Sequence, residues 1–216
     1  MKARPTPAFA VFALLTTALA AEPENLGLLK ERVREYMDSP EYFAEMEPVA
    51  REAAAFIAER AAQRAGGERL AVVIDIDETA LSNFPHIREM DFAYRDDHWD
   101  AWLLEARCPP IEPVLEIHRT ARANGVAVFF LSGRKELTRK ATARNLLGTG
   151  FSGFEAMILK ADESTEPTSE FKARERARLA AAGWTIIACV GDQESDLAGE
   201  HTGRAFKIPN PAYFIE

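Results

Sequence analysis

The sequence has few cysteines, too few basic residues to balance its acidic ones, and no long hydrophobic run. Each of these shortages excludes a class of protein. Two cysteines, Cys108 and Cys189, cannot build a disulfide framework and do not have metal-site spacing. Lysine and arginine number 26 against 34 aspartates and glutamates, a net charge of −8, which argues against a protein that binds nucleic acid polymers. The apolar run near the amino end is shorter than the ~20 residues of a membrane-spanning helix.

What is present is typical of a packed globular protein. Apolar residues make up 47% and charged residues 28% of the chain, which excludes wholesale disorder. The length of 216 residues predicts one domain with an insertion rather than two domains. The two cysteines allow one disulfide bond at most, and the sequence leaves open whether they pair. Cys189 falls within an apolar run and is expected to be buried, and Cys108 to be partly exposed.

The first twenty residues have the pattern of a secretory signal peptide. Two basic residues precede an apolar run, and the sequence up to Ala20 ends in the small-x-small pattern that signal peptidase cleaves. We therefore predict a signal peptide over residues 1–20, with cleavage after Ala20 or Ala21. The mature chain, residues 21–216, would then carry −8 − 2 = −10 charges and lie in a periplasm or the medium, with no membrane attachment.

Apolar runs alternate with helical patterns along the mature chain. Residues 26–65 predict two helices that meet at Pro40. Four runs that are apolar on both faces then predict buried parallel strands, and a short fifth run predicts an edge strand. These runs are 70–76, 126–131, 156–159, 185–190 and 205–208, and the helical patterns between them, 111–124, 136–147 and 169–182, each end at a glycine. The alternation predicts an α/β fold with a doubly wound, Rossmann-like parallel sheet.

Residues 82–110 do not follow this alternation. The segment is rich in aromatic residues and too long for an ordinary connection between a strand and a helix. We interpret it as a small helical cap inserted after the first strand. Its aromatic side chains form either the core of the cap or a surface that stacks on a substrate, and Trp99 is our candidate for substrate binding.

Polar and charged residues follow every one of the four main strands. An open α/β sheet binds its ligand at the carboxyl ends of its strands, so these residues are expected to lie together. Crowded carboxylates need a cation, and oxygen ligands beside a phosphate favour Mg²⁺. A hydroxyl and an ammonium group would complete a cradle for a phosphoryl group. The residues, in strand order, are Asp75 and Asp77; Ser132, Gly133 and Arg134; Lys160 and Lys172; Asp192 and Asp196.

The order of these motifs resembles the haloacid dehalogenase (HAD) superfamily. The motifs are D-I-D-E-T, F-L-S-G-R, a lysine, and G-D-Q-E-S-D. The first motif, the short cap and the ending F-K-I-P-N-P are similar to the secreted acid phosphatases, namely subfamily IIIB with the bacterial class B enzymes and the plant acid phosphatases and vegetative storage proteins, and the class C enzymes. The last motif matches the plant-type group best, and the resemblance covers about residues 26–216.

The resemblance implies a role for each motif residue in phosphoryl transfer. Asp75 corresponds to the nucleophile, which becomes an aspartyl-phosphate, and Asp77 to the acid/base that serves the leaving oxygen and then water. Ser132 corresponds to the hydroxyl that binds a phosphoryl oxygen, and Gly133 is a candidate for the same substrate contact. Arg134 is a candidate for pairing either with the phosphate or with a motif carboxylate.

The resemblance also implies a Mg²⁺ site. Its candidate ligands are Asp75, Asp77 through its main-chain carbonyl, Asp192 and Asp196, the last as a ligand or as a partner of one. The phosphate-binding lysine stays open between two candidates. We favour Lys172, in the first turn of a helix where a cation opposes the helix dipole, over Lys160, which directly follows a strand.

The leading hypothesis is a secreted, Mg²⁺-dependent acid phosphatase that hydrolyses small phosphomonoesters. One alternative is a non-catalytic storage or binding protein on the same fold, against which the presence of Asp75 argues. Another is a phosphotransferase that passes the phosphoryl group to an alcohol or nucleoside. The sequence leaves the substrate, the pH optimum and the oligomeric state open, and a homo-oligomer is compatible with it.

Overall fold

The centre of the protein is a parallel sheet of five strands. The computed structural model describes residues 22–215, so the predicted signal peptide and its cleavage site lie outside the described residues. The strands stand in the order β3-β2-β1-β4-β5, and this topology confirms the predicted α/β fold class. The strands are β1 (Arg69–Ile74), β2 (Ala127–Lys135), β3 (Ala156–Lys160), β4 (Trp184–Gly191) and β5 (Arg204–Lys207).

The apolar runs became the central strands because they are covered on both faces. Residues 70–74 of β1 are buried, and β1 pairs with β2 on one side and β4 on the other. The sequence placed the end of the second strand at Leu131, which is wrong. β2 continues to Lys135 across a register shift in its pairing with β3, so Ser132, Gly133 and Arg134 lie within the strand.

Helices cover the sheet and close its carboxyl edge. Pro40 begins the second helix after one extended residue, Ser39, which confirms the predicted break. Among the described residues, no helix is long and apolar enough to cross a membrane. The helices are α1 (Leu26–Asp38), α2 (Pro40–Ala62), α3 (Phe84–Glu89), α4 (Asp96–Glu105), α5 (Glu112–Ala123), α6 (Arg139–Gly148), α7 (Thr168–Ala181) and α8 (Glu194–Leu197), with a 3₁₀ turn at Glu136–Thr138.

The segment 82–110 contributes the two short helices α3 and α4 to the carboxyl edge of the sheet. Trp102 belongs to the buried core of this cap, whereas Trp99 is half-buried. Cys108 is buried, so the expectation of partial exposure is wrong; its backbone N–H and carbonyl are both held by the buried Asn145 side chain. Both cysteines are free thiols.

Candidate active site

Three carboxylates converge at the carboxyl edge of the sheet. Asp75 follows β1, Asp192 follows β4, and Asp196 lies in α8. One oxygen from each lies within 4.8 Å of the others, and all three side chains are buried. The parallel topology brings them together because β1 and β4 are neighbours that end at the same edge.

The turn from β4 into α8 fixes the position of Asp196. The backbone N–H of Gln193 donates to Asp196 Oδ2 at 2.9 Å, as one half of a capping box. Gly191 lies so close that a Cβ atom there would be 2.3 Å from the Cβ of Asp196. The last motif therefore needs its glycine for space.

Asp192 is oriented by three neutral donors. Thr79 Oγ1 donates to its Oδ1 at 3.1 Å, whereas Gln193 Nε2 and Asn210 Nδ2 donate to its Oδ2 at 2.6 and 2.7 Å. Asn210 comes from the chain after β5, in the ending that resembled the acid phosphatases. These bonds hold the carboxylate without neutralising its charge.

Lys172 is the lysine that reaches the carboxylates. It lies in the second turn of α7, not the first as predicted, because the helix begins at Thr168. Its Nζ is 2.5 Å from Asp75 Oδ1 and also donates to Asp196, and all three side chains are buried. Lys160 instead donates to the backbone carbonyl of Glu166.

The Asp77 side chain is not a member of the three-carboxylate group. Its Oδ1 accepts from Arg134 Nε at 2.9 Å and from Asn83 Nδ2 at 2.8 Å, and its Oδ2 accepts from Ser132 Oγ at 3.1 Å. The main-chain carbonyl therefore remains the only atom of Asp77 that the resemblance assigns to the metal. Ser132, predicted to bind a phosphoryl group, contacts this carboxylate, and so does Arg134, for which a motif carboxylate is one of the two predicted partners.

Burial and neighbouring charges shift the pKa values of the two aspartates of the first motif in opposite directions. Burial raises the pKa of Asp75 well above its usual value; Lys172 opposes this effect, and Asp196 adds to it. Burial also acts to raise the pKa of Asp77, but the Arg134 guanidinium and the hydrogen bonds to this carboxyl outweigh burial and lower that pKa. Burial, followed by the charge of Asp196, raises the pKa of Asp192 to about 6.

The sequence analysis did not predict a role for Glu78 or Tyr213, which form hydrogen bonds next to the site. Glu78 is fully buried, and burial followed by the charge of Asp77 raises its pKa to about 8. It accepts from Asn83 Nδ2 at 3.2 Å and from the hydroxyl of Tyr213 at 3.1 Å. Glu78 stands in D-I-D-E-T, so the motif pointed to it, but no pattern indicated that Tyr213 would reach it.

A cavity of about 420 Å³ opens above the carboxylates. Three of the candidates for substrate binding, Trp99, Gly133 and Arg134, line it. The cap and the end of the chain supply apolar walls, while the floor is polar. The walls include Phe92, Tyr94, Phe214 and Ile215, and the floor includes Asp75, Asp77, Lys172, Asp192 and Asp196.

This fold and site define a protein of the HAD type, with acidic residues at two adjacent strand ends, a buried lysine and a cap inserted after the first strand. The family described as HAD superfamily, subfamily IIIB (acid phosphatase) matches residues 13–216. The chain belongs to this family, which confirms the predicted family and the predicted enzyme class, a phosphomonoesterase.

Individual relatives agree with the family. Acid phosphatase 1 of Solanum lycopersicum is 31% identical over 85% of this chain and 73% of its own length. The stem 31 kDa glycoprotein of Glycine max is 29% identical over 92% of this chain and 82% of its own length. The class C acid phosphatase of Bacillus anthracis, solved with tungstate bound, shares the fold with a TM-score of 0.72 at 21% identity, over 88% of this chain and 86% of its own.

Proposed function

We propose that the protein is a secreted, Mg²⁺-dependent acid phosphatase that hydrolyses small phosphomonoesters through a phosphoaspartate on Asp75. The observation that carries the proposal is the meeting of Asp75, Lys172, Asp192 and Asp196 at the floor of one cavity. A carboxylate nucleophile needs nearby positive charge to approach a phosphate dianion, and this floor provides for it.

The donor set at the floor fits a hard divalent cation. Three buried carboxylate oxygens within 4.8 Å of one another face a single lysine, so the group is short of positive charge. Asp75, Asp192 and Asp196 would hold Mg²⁺, together with the main-chain carbonyl of Asp77. When bound, the ion would offset negative charge on the transferring phosphoryl group.

Asp75 and Asp77 would share the chemistry in two steps. In the first, a carboxylate oxygen of Asp75 attacks phosphorus, the bond from phosphorus to the leaving oxygen breaks, and Asp77 gives its proton to that oxygen. In the second, Asp77 takes a proton from a water molecule as the water attacks phosphorus, and the bond between phosphorus and the Asp75 oxygen breaks, which releases inorganic phosphate and restores both aspartates.

The exposure of the Asp75 and Asp77 side chains supports this division of roles. The Asp77 side chain is 17% exposed and lines the cavity, whereas the Asp75 side chain is 6% exposed and contacts Lys172. A group that exchanges protons with substrate and water needs that access. Burial raises the pKa of Asp75, and Lys172 opposes this effect, so the lysine favours the ionised form that attacks phosphorus.

Secretion rests on the sequence of residues 1–20. The basic start, apolar run and small-x-small ending support export through a cleaved signal. Amino-terminal sequencing of the protein recovered from periplasm or medium is expected to begin at Ala21 or Glu22. A start at Met1 would contradict the proposal of cleavage.

Turnover of p-nitrophenyl phosphate by wild type and Asp75→Asn, each with and without Mg²⁺, tests the proposal. Wild type is expected to need Mg²⁺ and to yield an acid-stable protein-bound phosphate on quenching, and Asp75→Asn to give neither. Circular dichroism of the variant controls for folding. Equal turnover by both proteins would refute the role of Asp75. Products measured with added alcohol or nucleoside acceptors separate hydrolysis from phosphotransfer.

A further inference from the structure

Asn83 connects the cap to the loop that carries Asp77. It precedes α3 and is fully buried. Its amide nitrogen donates to Asp77 Oδ1 at 2.8 Å and to Glu78 Oε2 at 3.2 Å. Its amide oxygen accepts from the indole Nε1 of Trp102 at 2.9 Å and lies 3.3 Å from the Cys108 thiol. The side chain therefore touches acceptors on one side and donors on the other.

The chemistry of these neighbours allows only one orientation of the amide. The indole nitrogen of Trp102 can only donate a hydrogen bond, and the carboxylate of Asp77 can only accept one. A reversed amide would set donor against donor at Trp102 and carbonyl oxygen against carboxylate at Asp77. The Trp102 contact is buried and the Asp77 contact is partly buried, so either mismatch would leave a polar group without a partner where water has little access.

Trp102 is itself held firmly in the cap. Its ring stacks on that of His86, with centroids 5.4 Å apart, and the Arg107 guanidinium lies 4.5 Å from its centroid. The indole N–H therefore has a fixed direction. Asn83 accepts from this N–H and donates to the carboxylate at the floor of the cavity, so a fixed indole favours one position of that carboxylate.

The contacts leave one oxygen of Asp77 for the reaction. Oδ1 accepts two N–H donors, from Asn83 and Arg134, and is satisfied. Oδ2 contacts only the Ser132 hydroxyl, at 3.1 Å, which can donate or accept. A proton carried by Asp77 is therefore expected on Oδ2, and rotation of the carboxylate would lose that arrangement.

We propose that Asn83 is a positioning residue that fixes the Asp77 carboxylate for proton transfer, and that Trp102 of the cap sets the orientation of Asn83. The proposal rests on the proposed role of Asp77 as acid and base. It adds to that role a physical link from the cap to the proton donor.

The dependence of kcat/KM on the leaving group tests this inference. A leaving oxygen that is a poor leaving group needs its proton more, so damage to the acid costs more with an alkyl phosphate than with p-nitrophenyl phosphate. We expect Asn83→Ala to lower kcat/KM about tenfold or less with p-nitrophenyl phosphate, and about a hundredfold or more with glycerol phosphate. Phenyl phosphate is expected to lie between them.

Asn145→Ala is the matched control. Asn145 is another buried asparagine that braces the cap segment, through the Cys108 backbone, but it does not contact Asp77. Its replacement is expected to lower the melting temperature by a similar amount and to change kcat/KM by the same factor for all three substrates. A graded loss in this control, meaning a larger loss of kcat/KM for poorer leaving groups, would show that weakening the cap is enough to produce the effect. That result would overturn the inference.

Two further variants separate the possible failures. Asp77→Asn serves as reference: a uniform loss in that variant overturns the acid/base assignment and this inference with it. A graded loss in Asp77→Asn beside a uniform loss in Asn83→Ala overturns the inference alone. If Asn83→Ala does not fold, Trp102→Phe takes its place in the test, because this variant keeps Asn83 and removes the donor that orients it. We expect Trp102→Phe to show a smaller loss of kcat/KM that is still graded with the leaving group. A uniform loss would overturn the proposal.

The indole proton of Trp102 gives a readout that does not depend on turnover. The chain has three tryptophans, and Trp102→Phe identifies the Trp102 resonance in a ¹⁵N correlation spectrum by its disappearance. In Asn83→Ala this resonance is expected to move upfield, with those of Trp99 and Trp184 unchanged. An unmoved Trp102 resonance would contradict the contact on which the inference depends.

Discussion

At the scale of single residues, the two aspartates of the first motif differ because their cationic neighbours differ. Asp77 meets a guanidinium and two neutral donors, which outweigh burial and lower its pKa. Asp75 has one ammonium group, shared with Asp196, and burial dominates. The proposed reaction needs the opposite states, an ionised Asp75 and a proton on Asp77, so a bound cation must lower the pKa of Asp75 and a bound phosphate must raise that of Asp77.

The choice between the two lysines gives the first prediction. Lys172→Ala removes the only cation within bonding distance of Asp75 and Asp196 among the described residues, so we expect turnover to fall by about a hundredfold or more. Lys160→Ala breaks only a bond to the Glu166 carbonyl and is expected to keep turnover within about threefold of wild type. Steady-state assays of both variants decide; the reverse order would assign the role to Lys160.

The buried Glu78 predicts a dependence of stability on pH in the metal-free protein. Burial raises its pKa from 4.5 to about 8, so the folded state keeps a proton that the unfolded state releases. The free energy of unfolding should therefore fall as pH rises from about 4.5 to 8, by about 1.4 kcal/mol per pH unit for this group. Urea unfolding with a chelator present, at several pH values, measures the slope.

Glu78→Gln supplies the comparison for that slope. The amide cannot ionise, so the variant should lose about one proton of the pH dependence while Asp75 and Asp192 keep theirs. The free energy of unfolding of the variant is expected to rise relative to that of wild type as pH rises toward 8. Parallel stability profiles of the two proteins would contradict the raised pKa of Glu78.

At the scale of elements, the junction of β4 with α8 sets the geometry of the acidic group. The strand ends at Gly191, and α8 begins three residues later at Glu194, so Asp192 and Asp196 are held on either side of one tight turn. α7 contacts the same turn through two side chains. One is Lys172, and the other is the buried Arg176, one helical turn further on. Arg176 Nη1 donates to the Asp196 carbonyl at 3.1 Å.

Gly191→Ala tests the importance of this close approach. The added Cβ would lie 2.3 Å from atoms of Asp196, so Asp196 must shift from the position in which it meets Asp75 and Asp192. We expect Mg²⁺ affinity, measured by calorimetry, to fall about tenfold or more. Gly148→Ala, whose Cβ would meet nothing within 4 Å at the end of α6, is the control and should bind like wild type. Wild-type affinity in Gly191→Ala would show that the turn can adapt.

At the scale of the whole molecule, the acidic group should couple metal binding to stability. A ligand that binds only the folded state at a hundred times its Kd adds about 2.7 kcal/mol. For a chain of this size, we expect Mg²⁺ to raise the melting temperature by about 5–10 °C. Calorimetric scans with Mg²⁺ and with a chelator measure the shift.

Asp192→Asn controls for binding elsewhere. It removes one of three crowded carboxylates, so the metal-free variant is expected to melt above metal-free wild type and to lose most of the Mg²⁺ shift. An equal Mg²⁺ shift in both proteins would place the binding outside this group.

The pattern of apolar runs was enough to predict the sheet. Runs such as 185–190 are too short for helices and apolar on both faces, so they can only be covered strands, and their alternation with helices implies parallel pairing. From that topology it also followed that Asp75 and Asp192 would meet. The end of β2 was missed because a register shift, which depends on the neighbouring strand, carries it to Lys135.

Chain order and parallel topology are enough to predict which residues stand at the carboxyl ends of the strands. The direction in which each side chain points is a property of the packed fold: Asp77 points toward Arg134 and Asn83, and Lys172 toward Asp75. Those directions depend on packing between segments far apart in the chain, such as the cap that holds Trp102. Local sequence contains no information on such contacts until the segments are brought together.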